Sequence, residues 1–237
     1  MGNKKKKNSN YHYNVTATTD PSAKLKTNSK VTPIAVTVII VAVIASLIVG
    51  LIAYDAKLQG ECVHARTRNV SQEDAVYVEM EFEGYGKIEL LLDRSVAPIT
   101  VDNFVDLVES GFYNGLTIFR AQKDFVIQGG QNDKVELDEI KGEFSSNGVK
   151  NDLSHIRGVI SMARTNAPDS ATSQFFITLD DDAAGSLDGR YAAFGYVTKG
   201  LKTVDAIAEA LYPYAVNNMG FVSNANAITI SYAKVIK

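Results

Sequence analysis

Apolar residues recur at every second position in two short segments of the chain. From Val76 to Phe82 every second residue is apolar, and the same period returns from Ile88 to Leu92. A period of two is typical of a strand with one buried face. Because Gly84-Tyr85-Gly86 lies between the two segments, they are predicted to form a β-hairpin.

Two later segments have the spacing of amphipathic helices. The first follows Pro98, with Thr100 as the predicted N-cap and Gly111 at its end, and the second covers about Lys202 to Leu211. Their apolar faces are Phe104, Leu107 and Val108 in the first helix, and Val204, Ile207, Ala208 and Leu211 in the second. Short β-rich runs lie at Gln174–Leu179, Tyr191–Val197 and Ala227–Ile236. Many short strands with two helices predict a mainly-β fold, a closed antiparallel barrel whose ends are covered.

A different pattern fills residues 34–54, where 21 consecutive residues carry no charge. As a helix this run would be about 30 Å long, the thickness of the hydrocarbon core of a bilayer, so it is predicted to be a transmembrane helix. A cleaved signal peptide is the alternative, with a typical apolar core of about 7–15 residues followed by small residues. Because this run is longer and Tyr54-Asp55-Ala56-Lys57 is a poor cleavage site, an uncleaved signal anchor is favoured.

Charge is distributed unevenly along the chain. Residues 1–33 contain seven lysines and one acidic residue, Asp20, and carry +6, so the total of -3 leaves -9 for the rest. The positive-inside rule places this basic tail, which we expect to be disordered, in the cytoplasm of the cell. Residues 55–74 are predicted to be a juxtamembrane linker containing the single cysteine, Cys62. Residues 75–237 are predicted to fold as one domain on the other, extracytoplasmic side of the membrane.

The composition argues against several classes of function. A net-negative main domain argues against nucleic acid as a partner, because phosphate binding needs a basic surface. One cysteine in 237 residues excludes an internal disulfide framework. The three histidines, His12, His64 and His155, are scattered, and no His, Cys or carboxylate cluster has metal-ligand spacing. We therefore expect neither a metal nor another cofactor.

Five blocks of residues 75–237 stand in the order and spacing of a known family. They are TVDNFVDLVESGFYNG (100–115), FRAQKDFVIQGG (119–130), GEFSSNGVKNDLSHIRGVISMAR (142–164), SQFFITL (173–179) and LDGRYAAFG (187–195). Together they resemble the cyclophilins, which are peptidyl-prolyl cis/trans isomerases, and SMARTNAPDSATSQFF (161–176) looks like the bacterial form. The resemblance implies an eight-stranded cyclophilin-like barrel with two capping helices. It also implies rotation about X-Pro bonds, and the predicted topology makes exported or surface proteins the expected substrates.

The chemistry of that reaction explains which residue types are needed. Rotation about a peptide bond costs about 18–20 kcal/mol because resonance gives it double-bond character. A catalyst needs an apolar surface for the proline ring and a donor that stabilises the twisted peptide, and it needs no nucleophile. The resemblance assigns the catalytic positions to Arg120, Phe125 and Gln128. It assigns the substrate-binding positions to Val126, Ala163, Arg164, Gln174, Phe176, Leu187 and Tyr191.

Two features of these blocks refine the expectation. If Arg120 to Gln128 is one extended strand, Arg120, Val126 and Gln128 share a face, and a turn or bulge near Lys123-Asp124 must redirect Phe125. The chain also departs from the family, with Phe119 and Tyr191 where many members have His, Val126 where many have Met, and Ser186 where many have an aromatic residue. We expect activity to survive these changes, with weak binding of cyclosporin because Ser186 is small.

Two other classes of function remain open at this point. The domain could be a binding module that holds proline-containing segments without turnover, or a membrane-tethered folding helper whose isomerase activity is incidental. Arg120, Phe125 and Gln128 are all present, which favours the enzyme.

Overall fold

A computed structural model describes residues 68–237 of the chain. The predicted basic tail (1–33), the predicted transmembrane helix (34–54) and most of the predicted linker (55–74) lie outside the described residues. Between residues 68 and 237, no helix is both long enough and apolar enough to cross a bilayer.

The described residues form a closed β-barrel of eight antiparallel strands, as predicted. Around the barrel the strands follow the order β1-β2-β7-β5-β6-β4-β3-β8. The strands are β1 (Ala75–Phe82), β2 (Gly86–Asp93), β3 (Thr117–Gln122), β4 (Val126–Gly129), β5 (Val159–Met162), β6 (Phe175–Thr178), β7 (Ala193–Lys199) and β8 (Ile228–Val235). The α-helices are α1 (Pro98–Glu109), the single turn α2 (Ala184–Leu187) and α3 (Leu201–Leu211). Short 3-10 turns occur at Ser145–Asn147, Asp181–Ala183 and Tyr212–Tyr214.

The alternating segments form the strands that the sequence predicts. β1 and β2 pair along their whole length, with Ala75 opposite Asp93 and Phe82 opposite Gly86. The apolar residues of β1 are buried and its intervening residues are half-buried. They join one large hydrophobic core that includes Phe104 of α1 and Ile207 of α3.

The N-terminus of α1 is capped by a distant side chain rather than by Thr100. Thr100 lies inside the helix and is fully buried. The carboxylate of Glu143 accepts hydrogen bonds from the backbone N–H of Ile99 (3.2 Å) and of Thr100 (2.7 Å), and from the Thr100 hydroxyl (2.7 Å). The first N–H groups of a helix lack internal partners, and a carboxylate satisfies them well. The predicted N-cap was therefore wrong because a carboxylate 43 residues away in sequence occupies that place.

Residues before Ala75 also contact the barrel. Arg68 donates from Nε to Asp93 (2.7 Å) and from Nη1 to Asp152 (2.8 Å), and Val70 packs against the main core. Asp93 is completely buried, so Arg68 supplies a charge partner that a buried carboxylate requires. The contacts of the folded domain thus begin at least seven residues before the first strand.

Residues 119–130 form a hairpin and not the single strand considered for them. β3 and β4 pair antiparallel, with Arg120 opposite Gln128 and Gln122 opposite Val126. The chain reverses at Lys123 and Asp124, where Asp124 adopts a left-handed conformation with φ of 54°. Asp is one of the few residue types that tolerate this conformation. The turn predicted near Lys123-Asp124 is present, and it reverses the chain completely.

Candidate active site on the outer face of the barrel

The hairpin places a row of side chains on the outside of the barrel. Arg120 on β3 lies opposite Gln128 on β4, Gln128 lies opposite Phe176 on β6, and Phe176 lies opposite Ser161 on β5. Directly opposed residues point to the same face of a sheet. The alternate residues of these strands, among them Ile127 and Ile177, belong to the main core. The row therefore runs across four neighbouring strands on the face that points away from that core.

A β-bulge lies beside the arginine. The pairing of β3 with β4 shifts between Ile118 and Arg120, so Phe119 is an extra residue in the strand. Bulges commonly redirect a side chain next to an active site. Here the shift aligns Arg120 with Gln128, while the Phe119 ring stacks on Phe221 at 6.1 Å between centroids.

Three acceptors and one aromatic ring hold the guanidinium of Arg120. Its Nε donates to the carbonyl of Met219 (2.7 Å), Nη1 to Gln128 Oε1 (2.8 Å) and Nη2 to Gln122 Oε1 (2.6 Å). The Cζ atom lies 5.3 Å from the centroid of the Phe221 ring, within the range of a cation–π contact. A guanidinium has five N–H donors, so two of the five have no partner within residues 68–237.

The electrostatic environment of Arg120 is that of a half-buried charge. Burial lowers the pKa of Arg120, and the nearby Tyr191 hydroxyl opposes that shift. An arginine starts from so high a pKa that it stays protonated at neutral pH. The group is therefore a fixed, partly desolvated cation, which interacts more strongly with developing charge than a fully hydrated one.

A second hydrophobic cluster, separate from the main core, lies next to this cation. Its buried members are Val126, Phe176, Ala183 and Leu187, and Phe125, Ala163 and Tyr191 pack against it while remaining partly exposed. The Phe176 and Tyr191 rings meet edge to face with centroids 5.5 Å apart. We call this set the outer apolar cluster. Its exposed edge offers aromatic and aliphatic surface beside Arg120 and Gln128.

Arg164 ties the rim of the outer apolar cluster together. Its Nε and Nη2 donate to the carbonyl of Arg190 at 3.0 and 2.8 Å. Its Cζ lies 4.8 Å from the centroid of Tyr191 and 5.0 Å from that of Phe144. The side chain therefore fixes the segment that carries Tyr191.

A buried histidine supports Phe176 on the side of the cluster. The His155 ring stacks on Phe176 at 5.9 Å, with Nδ1 at 2.8 Å from Asp188 Oδ1 and Nε2 at 2.9 Å from Ser161 Oγ. Burial lowers the pKa of His155, against the opposing effect of Asp188. This pattern fits a neutral ring that donates to Asp188 and accepts from Ser161, because a buried imidazolium would lose its hydration.

Comparison with known proteins places this arrangement in a family. Residues 77–233 match the family model of the cyclophilin type peptidyl-prolyl cis-trans isomerases. The chain is 43% identical over 162 residues to peptidyl-prolyl cis-trans isomerase A of Dickeya dadantii, covering 64% of this chain and 80% of that protein. It is also 40% identical over 134 residues to isomerase B of Escherichia coli, covering 52% and 79%. The chain belongs to the cyclophilin family.

The barrel itself resembles solved cyclophilins. A Cryptosporidium parvum cyclophilin, crystallised in the presence of the dipeptide Ala-Pro, superposes with a TM-score of 0.57 at 24% identity. The alignment covers 68% of this chain and 99% of that one, and at this identity it supports the fold alone. The family catalyses rotation about the peptide bond that precedes a proline, and so does the protein described by residues 68–237.

The structure brings together all ten residues predicted for the site of this cyclophilin. Arg120, Gln128 and Gln174 are linked by hydrogen bonds, with Gln128 Nε2 donating to Gln174 Oε1 at 3.0 Å. Phe125, Val126, Ala163, Phe176, Leu187 and Tyr191 form most of the outer apolar cluster. Arg164 covers its rim. Their individual roles stay predictions.

Several neighbours of Arg120 were not predicted from the sequence. Gln122 could have been found, because it is two residues from Arg120 and so shares its face of the strand. Met219 and Phe221 are about 100 residues away, and nothing in the local pattern points to them. Gly220 between them has φ of 81°, and a Cβ there would collide with the Ala121 carbonyl. Only glycine therefore allows this loop to approach β3 closely enough to hold Arg120.

Within residues 68–237, no group of three or more His, Cys, Asp or Glu residues could hold a metal ion. The amide oxygens, the backbone carbonyl and the aromatic ring that surround Arg120 contact its guanidinium.

Proposed function

We propose that this cyclophilin isomerises X-Pro bonds in exported or surface proteins, with Arg120 as the group that stabilises the twisted peptide. The observation that carries the proposal is the position of a half-buried guanidinium, with two free N–H donors, beside the exposed edge of the outer apolar cluster. A proline ring against the cluster would bring its peptide nitrogen to the cation.

The mechanism follows from what changes during rotation. As the peptide twists, resonance is lost and the nitrogen regains a lone pair that can accept a hydrogen bond. Arg120 donates to the twisted peptide more strongly than to the planar one, so it lowers the barrier rather than merely binding substrate. Charge-assisted donation is roughly twice as strong as neutral donation, and partial burial strengthens it further. Gln128 orients Arg120 and can contact the substrate backbone.

The apolar residues hold the proline and keep water away. Phe125 and Tyr191 offer partly exposed ring surface, while Val126, Phe176 and Leu187 form a buried base beneath them. Burying a proline ring here is favourable because apolar surface leaves water. Gln174, at the end of the hydrogen-bonded chain, is placed to donate its free amide N–H to a substrate carbonyl.

The location of the clients is inferred from the N-terminal sequence. Seven lysines precede the uncharged segment 34–54, which supports a signal anchor with its basic end in the cytoplasm. The barrel would then act on proteins that have crossed the membrane. Cells that carry the full chain and are treated with external protease should lose the domain after Tyr54 and protect the tail. A soluble mature protein that begins near Asp55 would show a cleaved signal instead, and a protected domain would show the reverse orientation.

Refolding kinetics test the activity on a protein substrate. The purified full chain in detergent should accelerate the slow, proline-limited refolding phase of a protein with a native cis-proline. It should leave unchanged the refolding of a protein that has no such phase, because uncatalysed proline isomerisation alone takes tens of seconds. Binding of proline peptides without acceleration would indicate a binding module and would contradict the proposal.

A further inference from the structure

Gln122 is the closest hydrogen-bond partner of Arg120, and neither the sequence analysis nor the resemblance assigns it a role. Its Oε1 accepts from Nη2 at 2.6 Å, compared with 2.7 Å for the Met219 carbonyl and 2.8 Å for Gln128. Gln122 lies at the end of β3, opposite Val126, and is half-buried. It therefore stands between the guanidinium and the turn that leads to Phe125.

The chemistry of arginine decides how the two glutamines are oriented. A guanidinium only donates hydrogen bonds, so Gln122 and Gln128 must both present their amide oxygens to it. The amide nitrogen of Gln128 then donates to Gln174 Oε1. The result is a continuous chain, Gln122–Arg120–Gln128–Gln174, in which the direction of every hydrogen bond is fixed.

These hydrogen bonds restrain the guanidinium at both of its terminal nitrogens. Nη1 is held from β4 by Gln128, and Nη2 is held from β3 by Gln122. With the Nε bond to Met219 and the Phe221 ring against one face, the planar group loses its freedom to swing. A donor that is already aligned costs no reorganisation when charge develops on the substrate.

We infer that Gln122 is a positioning residue for catalysis, whose amide oxygen orients Arg120 so that its two free N–H groups face the prolyl peptide. The inference rests on the proposed role of Arg120. It concerns turnover, because a misaligned guanidinium still provides charge but no longer points at the twisted nitrogen. Binding of the proline ring, which depends on the outer apolar cluster, should hardly change.

The test replaces Gln122 with methionine, which has a similar length but no comparable acceptor. One hydrogen bond to a charged group is typically sufficient for about a tenfold change in a rate constant. We expect Gln122→Met to lower kcat by about five- to tenfold with KM nearly unchanged, in a peptide isomerisation assay of the full chain. The matched control is Gln131→Met, since Gln131 is exposed and its side chain donates to Asp133. The control should behave as wild type.

A double-mutant cycle separates positioning from a general structural effect. In an Arg120→Lys background the fork that Gln122 orients is absent, so Gln122→Met should cause less than about a twofold further loss. An equal loss in both backgrounds, or wild-type kcat for Gln122→Met while Arg120→Lys is impaired, would overturn the role of Gln122. Full activity of Arg120→Lys would instead count against the role of Arg120 itself. Thermal unfolding of each variant verifies that the folded protein is being measured.

Discussion

Replacing Arg120 with alanine should reduce kcat/KM for X-Pro isomerisation by about 10²–10³-fold. Loss of one prealigned donor to developing charge typically raises the barrier by about 2.7–4 kcal/mol. The guanidinium of Arg120 is held by Gln122, Gln128 and Met219, and two of its N–H groups have no partner among residues 68–237. The loss should appear mainly in kcat, because the substitution leaves unchanged the outer apolar cluster, which is the proposed site of the proline ring.

The same substitution should leave the barrel folded. Arg120 is half-buried and points away from the main core, so water can reach the three acceptors that it leaves behind. We expect a stability loss of about 1 kcal/mol, which is near the centre of the range for point substitutions. Arg120→Lys should recover only part of the activity. A lysine ammonium lacks the planar fork of donors with which a guanidinium can bond three acceptors and a substrate at the same time.

The assay is isomerisation of a proline-containing peptide, with urea unfolding of the same preparations. Arg94→Ala is the matched control, since Arg94 is a surface arginine that pairs with the exposed Asp102. The control should retain full activity. An Arg120→Ala protein that is folded and nearly as active as wild type would refute the mechanism, and a loss confined to KM would show that Arg120 binds substrate without stabilising the twisted state.

Three further predictions concern the rim, the helix cap and the buried histidine. Ser186 is small and exposed on α2 beside Leu187, so the wild-type domain should bind cyclosporin weakly. Ser186→Trp should improve binding by about thirtyfold, or on the order of 2 kcal/mol. Low-nanomolar inhibition of wild type by cyclosporin would contradict this prediction. Glu143→Ala leaves the two buried donors of Thr100 and the part-buried N–H of Ile99 without this partner and should cost about 2–4 kcal/mol in urea unfolding. Asp102→Ala, on the exposed side of the same helix, should cost about 0.5 kcal/mol or less. Burial lowers the pKa of His155 below its usual 6.5, so the unfolded chain takes up the proton first as the pH falls. The free energy of unfolding should therefore decrease as the pH drops below about 6.5. His155→Gln should flatten that pH dependence, and an unchanged slope would count against a neutral ring.

Local pattern was sufficient for the elements with strong periodicity. The alternation of β1 and β2 predicted their pairing, and the helical spacing of Val204, Ile207, Ala208 and Leu211 predicted the buried face of α3. These residues behave as predicted because one face of each element meets the core and the other meets water. Thr100 failed as an N-cap because capping depends on which acceptor is nearest in space.

For the site, the sequence by itself determined which residue types are available and, through the five family-like blocks, which positions belong together. It could not determine that 119–130 is a hairpin. Arg120 and Gln128 would share a face if they were an even number of residues apart on one strand, and they also share a face when they lie opposite each other on two paired strands. Only the tertiary structure decided what holds Arg120. Met219 and Phe221 reach it from a loop about 100 residues away, and Glu143 caps a helix from 43 residues away. Hydrogen bonds and ring contacts act over a few ångströms, so such partners are set by the closure of the barrel and not by distance along the chain.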